Sequence, residues 1–406
     1  MTFRTISLAA LTFMAVSAQA QPVWNFDQVM QAALASHPLV LAKRSAQNAA
    51  QAEREGAEWQ RYPSFSAEAS TQSGGLNARL LRLEQPLWTG GRITAGINAA
   101  GSRFDAAGAA LDEARQELSL KVIAAATEAL RQQVRQQHGI TGVKEHEKLL
   151  GMIQRRVAQE VSPLADQNLA RARLYASANE LSVTTQALNN ALAQLAQLAG
   201  QPVTAIDAQG VTEAGAPASL DTAMTQALAH SPTLRRLAFE EETASAEIAS
   251  KRSAYMPQLV LRVERSAGGQ TPDSRAMLVL LAQPGAGLSA KSGVDAAVAR
   301  REAVRLAREA AERDMRERLT LDWNEWVAAR LRLANADQAR AMSTEVFESY
   351  ARQFTTGRKT WIDVLNAVRE ATQSELAVVD ARVQMLAASL RLRTLSGTLT
   401  STTGTQ

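Results

Sequence analysis

The stretch Gln85-Pro86-Leu87-Trp88-Thr89-Gly90-Gly91-Arg92 separates a strand before it from a very long helix after it. Residues 80–87 have strand character, and the double glycine permits the sharp change of direction that such a junction needs. From Ile93 to about Val157 no proline interrupts the chain. An unbroken helix of roughly 65 residues spans on the order of 100 Å, several times the reach of an ordinary domain helix. It cannot be buried in a monomeric core and must pack sideways against partner helices.

Working backwards, Phe26 to Leu34 reads as a short amphipathic helix stopped near Ser36-His37-Pro38. A second helix runs from Pro38 to about Arg61, where Tyr62-Pro63 ends it, because the residue before a proline avoids helical geometry. Phe65, Ala67 and Ala69 then alternate in strand fashion, and Ser73-Gly74-Gly75 turns the chain back, giving a hairpin over about 64–87. Strands of roughly ten residues have the length that crosses a bilayer when tilted.

Working forwards, the long helix is expected over about 91–158. Ile97, Phe104, Leu111 and Leu118 recur every seven residues beside Ala100, Ala107 and Ala114, a coiled-coil seam whose small residues allow close approach. After Gln159-Glu160-Val161, Ser162 reads as an N-cap and Pro163 as the first residue of a helix over about 162–199. Gly200 and Pro202 close it.

The same programme then starts again beyond a polar linker, residues 201–219. A shift of 194 places Asp27 on Asp221, Met30 on Met224, Pro38 on Pro232, Glu53 on Glu247 and Pro63 on Pro257. The shift becomes 198 at Gln85-Pro86 against Gln283-Pro284, and 197 where Asp166, Leu198 and Gly200 fall on Asp363, Leu395 and Gly397. The first repeat is therefore residues 21–200 and the second 220–399, with a hairpin at about 257–284, a long helix at about 290–355, a helix at about 360–397 and a tail at 400–406. A repeat this long is an internal duplication, not a solenoid period.

Composition narrows the setting. Arg4, the apolar run Ile6 to Val16 and Ala18-Gln19-Ala20 read as a signal peptide over residues 1–20, so the chain is expected to be exported. The absence of cysteine excludes disulfides and thiolate metal sites. The formal charge of +4 in 406 residues is too weak an imbalance to suggest a nucleic-acid partner. Beyond the N-terminus no run of about 18 apolar residues suggests a membrane-spanning helix.

Each half offers two strands, so the chain has four. Four strands of membrane length cannot close a barrel, and open edges are not tolerated in hydrocarbon. Several chains must pool them, two giving eight or three giving twelve, and a barrel around a passage favours the larger number. Long helices continuing such a barrel would form a conduit.

The duplication, the Pro63 and Pro257 junctions, the Gln85 to Arg92 stretch, and Thr356-Gly357-Arg358-Lys359-Thr360-Trp361-Ile362-Asp363-Val364-Leu365 before the last helix together resemble the TolC family of outer-membrane export channels. The resemblance covers nearly the whole mature chain and lies in order and spacing more than in any one motif. It implies a mainly α fold with a membrane β-barrel: a homotrimer whose twelve-stranded barrel sits in outer-membrane lipid and continues as a periplasmic α-helical tunnel. It also implies partners, a periplasmic adaptor and an inner-membrane ABC transporter or proton-driven pump, and it implies no cofactor. The chain departs from the pattern at Gln283-Pro284-Gly285-Ala286-Gly287, where the second copy lacks the fuller motif, and at Glu160, which stands where the other repeat has Gly357.

The resemblance places the periplasmic aperture at the turn before the last helix, with acidic side chains around it. Asp363 occupies one such position, and the second falls on Asn366. Lys359 and Asp166 complete the candidate gate. A carboxylate repeated by symmetry makes a ring that attracts cations. Thr360-Trp361-Ile362-Asp363 also fits a capping box, and the two readings are compatible. Glu160, Ser162, Pro163 and Leu164 in one turn, and Thr356, Gly357 and Arg358 in the other, are the candidate adaptor-docking residues. Gln85, Pro86, Gly90, Gly91 and Arg92 are read as structural.

Other constellations have plainer readings. Arg300, Arg301, Arg305, Arg308, Arg313, Arg316 and Arg318 interleave with acidic residues three and four apart, as on a solvated helix face. His138 and His146 lie two helical turns apart, too far to meet one metal ion. Trp323 and Trp326 read as packing residues. No nucleophile-base order, phosphate loop or ligand cluster points to an enzyme. The reading is of a passive exit duct for type I protein secretion or efflux; the alternative is a soluble periplasmic coiled-coil scaffold or adaptor.

Overall fold

The computed structural model describes residues 23–71, 77–207, 217–282 and 289–398. The signal-peptide reading, both hairpin tips, the Gln283 to Gly287 motif and the 400–406 tail lie outside these residues.

The chain runs β1 (Trp24–Asn25), α1 (Phe26–Ser36), α2 (Pro38–Trp59), β2 (Ser64–Thr71), β3 (Asn77–Trp88), α3 (Arg92–Ala158) and α4 (Leu164–Ala199). Then come β4 (Ile206–Asp207), α5 (Leu220–His230), α6 (Pro232–Arg252), β5 (Gln258–Ala267), β6 (Asp273–Leu281), α7 (Ser289–Thr355) and α8 (Trp361–Leu395). Helices α3 and α7 have 67 residues each, about 100 Å of helix. Along α3 pack α2 towards the sheet and α4 towards the far tip, α8 lies mainly along α7, and α6 packs between the two long helices against both. Two shorter helices thus match each long one, and the gap between them falls at mid-height.

That gap is where the core is thickest. Phe26, Val29, Met30 and Ala33 of α1 wedge against Leu111, Leu118 and Val122 of α3 and against Leu195 and Ala199 of α4. In the second repeat Ala223 and Ala227 of α5 meet Leu319, Leu392 and Leu395 of α7 and α8, with Trp323 and Trp326 packed beside them at 5.1 Å between centroids. The heptad seam is buried at Leu111 and Leu118 and half-buried at Ile97 and Phe104. The segment read as a polar linker contributes β4, which pairs in parallel with β1 through Trp24 opposite Ile206. Gln133 of α3 clamps that pair by donating to the Ile206 carbonyl and accepting from its N–H, both at 3.2 Å.

The duplication extends to the caps. Both long helices end with a 6→1 hydrogen bond, Val161 N–H to the Arg156 carbonyl and Arg358 N–H to the Gln353 carbonyl. Such an ending needs one left-handed residue. Gly357 supplies it with φ +75°, and Glu160, its counterpart, adopts φ +58°. Glu160 is the one non-glycine residue with positive φ among the described residues. The substitution Glu160→Gly is therefore expected to raise stability by about 1 kcal/mol through relief of left-handed strain, measured as the midpoint of chemical denaturation.

The capping of α4 corrects the sequence reading. Pro163, with φ −72° and ψ 154°, is itself the cap position and Leu164 the first helical residue. Ser162 therefore stands one position before the cap, and its hydroxyl instead accepts from Arg156 Nε at 3.3 Å.

Candidate functional site

Two ends of the molecule carry the chemistry. At one end the four longer strands form a single antiparallel sheet in the order β2-β3-β5-β6. Strands β3 and β5 join the two hairpins, pairing Arg79 with Ala267 through to Trp88 with Leu259, with a bulge at Leu87. Strands β2 and β6 are left as open edges.

Directly opposed residues share a face of a sheet, and here the faces differ sharply. One carries the row Phe65, Leu83, Val263 and Ala276, with Leu81, Leu259, Leu261, Leu278 and Leu280 on neighbouring rows. It is uncovered: Leu278 and Leu280 are 65% and 67% exposed. The other face carries Ser66, Arg82, Glu264 and Arg275 in one row and Glu84 opposite Arg262 in the next. Arg82 Nε donates to Glu264 at 2.9 Å, Arg275 Nη2 reaches the same carboxylate at 3.3 Å, and Arg262 Nε donates to Glu84 at 2.7 Å. Glu264 is buried beneath these guanidinium groups. Apolar outside and charged inside is the pattern of a transmembrane barrel wall. At the base of the strands Trp59, Tyr62, Phe65, Trp88 and Tyr255 are all exposed, as in an aromatic girdle at a membrane interface.

The junction stretch builds this base. Gly90 and Gly91 adopt φ +59° and +88°, and Gly91 caps α3. Gln85 Nε2 donates to the Arg61 and Pro86 carbonyls, both at 2.9 Å, and the Ile93 N–H reaches the Thr89 hydroxyl at 3.4 Å. Pro86 lies within β3 just before the bulge, and Arg92 opens α3 in solvent.

The opposite end is the tip of the helices. Ile153 of α3 and Ala170 of α4 pack against Phe354 of α7 and against Trp361, Val364, Leu365 and Val368 of α8. The rings of Phe354 and Trp361 are 5.7 Å apart, and Arg156 stacks on Phe354 at 4.8 Å. The two turns are thereby held side by side.

Asp363 closes a capping box. It accepts from the Thr360 hydroxyl at 2.8 Å and the Thr360 N–H at 3.0 Å, while its own N–H donates to the Thr360 hydroxyl. These bonds, the hydroxyl first, and the nearby Lys359 charge hold its carboxyl below the usual aspartate value of 3.8. Asp363 and Asn366 lie one turn apart and line a cavity of about 500 Å³ together with Tyr350 and Glu370. Lys359 Nζ sits 4.1 Å over the Tyr350 ring. Asp166 lies on α4 without a box of its own, consistent with the uncapped start of that helix. Glu160, Pro163, Leu164, Thr356, Gly357 and Arg358 are exposed on the two turns, and Ser162 is half-buried.

Sequence reasoning missed the charged lattice of Arg82, Glu84, Arg262, Glu264 and Arg275. The available signal was a charge at every second residue in Arg82-Leu83-Glu84 and Arg262-Val263-Glu264. His138 meets Glu375 of α8 at 3.9 Å. His146 is half-buried, and burial, then Arg173, lowers its pKa below the usual value. Among the described residues no helix is long and apolar enough to cross a membrane, and no three potential ligands converge as a metal site.

The family model of outer membrane efflux proteins matches this chain twice, over residues 29–201 and 223–398. The chain belongs to that family. This outer membrane efflux protein also shares its fold with solved membrane proteins. A membrane protein from Pseudomonas aeruginosa superimposes with a TM-score of 0.81 at 18% identity, covering 92% of each chain. The outer-membrane channel OprN gives 0.82 at 18% identity, covering 92% of this chain and 89% of its own. The outer membrane protein VceC of Vibrio cholerae gives 0.76 at 17% identity, with 92% and 96% covered. Among curated protein sequences none matches significantly. The efflux protein is thus an outer-membrane exit duct of the TolC type, with its helices in the periplasm.

Proposed function

We propose that three copies of this chain close a twelve-stranded barrel by pairing β6 of each with β2 of the next, and that the trimer conducts cargo passively from an inner-membrane machine to the exterior. The observation that carries this reading is the sheet, with one uncovered apolar face, one charged face and two open edges. In lipid an open edge leaves backbone groups unpaired, and only closure removes it. Twelve strands leave room for a passage where eight are filled by their own side chains. Energy comes from an ABC transporter or a proton-driven pump, reached through a periplasmic adaptor that docks on the turns around Glu160 to Leu164 and Thr356 to Arg358.

In this reading Asp363 from each copy rings the periplasmic aperture and favours cations. Asn366 lowers the charge density of that ring, and the adaptor opens it by drawing the turn-bearing helices outward. Asp166 and Lys359 complete the proposed gate.

Single-channel recording of the detergent-extracted protein in a planar bilayer tests this. Discrete cation-preferring currents are expected, with selectivity weakened in Asp363→Asn. Because its hydrogen bonds hold the Asp363 carboxyl below 3.8, the preference is expected to persist unchanged from about pH 7 to pH 5. A preference that fades across this window would assign the selectivity to another group. Currents unaltered by Asp363→Asn would reduce that residue to a helix cap. A protein that stays soluble without detergent would favour a periplasmic scaffold instead.

A further inference from the structure

Towards its end away from the helices, the face that the proposed barrel turns to lipid carries two arginines. Arg265 on β5 stands opposite Leu81, and Arg79 on β3 stands opposite Ala267, one pleat repeat further from the helices. They are diagonal neighbours on one face, roughly 7–8 Å apart at the backbone, near enough for both guanidinium groups to reach one anion. Both are exposed. Every carboxylate in the described strands of the four-stranded sheet, namely Glu68, Glu84, Glu264 and Asp273, lies on the opposite face. Arg82, Arg262 and Arg275 on that face all have acidic partners. Among the described residues neither Arg79 nor Arg265 has one.

Height along the strand locates the pair. From Leu259, opposite Trp88, to Arg265 is six residues of β5, about 20 Å along the strand. At the usual barrel tilt the two arginines then stand roughly 15–20 Å above the Trp88 level, against an apolar band about 25 Å tall. Long arginine side chains reach the remaining distance to the interface.

Two forked donors without a protein carboxylate, at the border of the outer leaflet, match phosphate oxygens. We infer that Arg79 and Arg265 form a site, one per protomer, for a phosphorylated lipid headgroup of the outer leaflet. The occupant is a lipid because Leu81, level with Arg265, and Leu83 and Val263 in the next row towards the helices lie on the same face and offer its acyl chains an apolar surface. The inference rests on the barrel reading above, which turns this face to lipid.

Native mass spectrometry of the full-length detergent-solubilised protein tests it, with bisphosphorylated lipid A as the probe. The same lipid stripped of phosphate serves as control and inorganic phosphate as competitor. The unmutated protein is expected to retain the phosphorylated lipid, and the double variant Arg79→Gln, Arg265→Gln to lose about tenfold in retention. Arg79→Lys with Arg265→Lys is expected to fall between them. Equal retention by the Gln variant, equal retention of the dephosphorylated lipid, or displacement by millimolar inorganic phosphate would each overturn the site. If the double variant does not assemble, the two single Gln variants are read in the same way, each losing part of the retention. Bilayer conductance of the same preparations separates the failures. Conducting protein with unchanged lipid retention overturns only this site, and protein that never inserts overturns the barrel reading beneath it.

Discussion

Replacing Trp361 with alanine is expected to leave the periplasmic tip loose at rest while the barrel end stays intact. Trp361 is the first residue of α8, is 4% exposed, and packs on Phe354 within the cluster that joins α7 and α8 to Ile153 and Ala170. Its indole N–H is buried without a partner, so the substitution deletes packing and no hydrogen bond. A large-to-small change of this kind costs about 3–5 kcal/mol. The cluster lies at the far end of helices about 100 Å long, so the loss is confined to the last turns. Amide exchange around residues 350–368 is expected to accelerate by about two to four orders of magnitude, with strands β3 and β5 unchanged. Cells carrying the variant should also admit a large antibiotic that the outer membrane otherwise excludes. Trp361→Phe, which keeps a ring against Phe354, should recover most of the protection. Unchanged exchange at the tip would remove the cluster from any role in holding the aperture.

At the other end, Gly90→Ala is expected to impair assembly. A Cβ on Gly90 would lie 2.5 Å from the Met256 Cβ, and the backbone there has φ +59°. Left-handed strain costs about 1–2 kcal/mol and overpacking about 1–3 kcal/mol. The junction holds β3 and α3 against the turn that leads from α6 into β5, so both hairpins feel the displacement. Met256→Ala should not rescue the variant, because the clash is with the Cβ that alanine retains. Met256→Gly should rescue it in part. Gly91→Ala is the contrast: φ is +88° but nothing lies within 4 Å, so only the backbone strain remains. The fraction of detergent-stable oligomer and its denaturation midpoint, measured for the four variants, check this order. Equal losses at Gly90 and Gly91 would show that the close approach to Met256 carries no weight.

What proved legible in the sequence was local. Pro38, Tyr62-Pro63, Gly90-Gly91 and Gly200 act within a turn or two of themselves, so their meaning needs no fold. The capping box of Thr360 and Asp363 closes over three residues. The repeat offsets compare such signals with one another, which is why the duplicated architecture could be read without a structure. Glu160 marks the limit of this kind of reading. Sequence shows a departure from Gly357, whereas the structure shows the same left-handed cap in both repeats, because the 6→1 hydrogen bond sets φ whatever the side chain. Ser162 looked like a cap because Ser-Pro is a common helix start, whereas the helix begins one residue later and the Ser162 hydroxyl turns to Arg156 of the previous helix.

By itself, then, the sequence determined the order of the helices and the four longer strands, the two very long helices and the duplication, since each follows from signals within one element or from comparing such signals along the chain. Only the tertiary structure decided which faces meet. Arg82 and Glu264 are 182 residues apart, and their contact exists because β3 pairs with β5 in one register. A slip of one residue would send those charges to the lipid face and the leucines inward. The pairing of β1 with β4 was equally hidden, because two-residue strands have no period to detect. Lys359 over Tyr350, and the meeting of Phe354 with Trp361, likewise depend on how the α7–α8 turn closes. Register and packing are non-local free-energy balances, and residue types at fixed spacing do not encode them one element at a time.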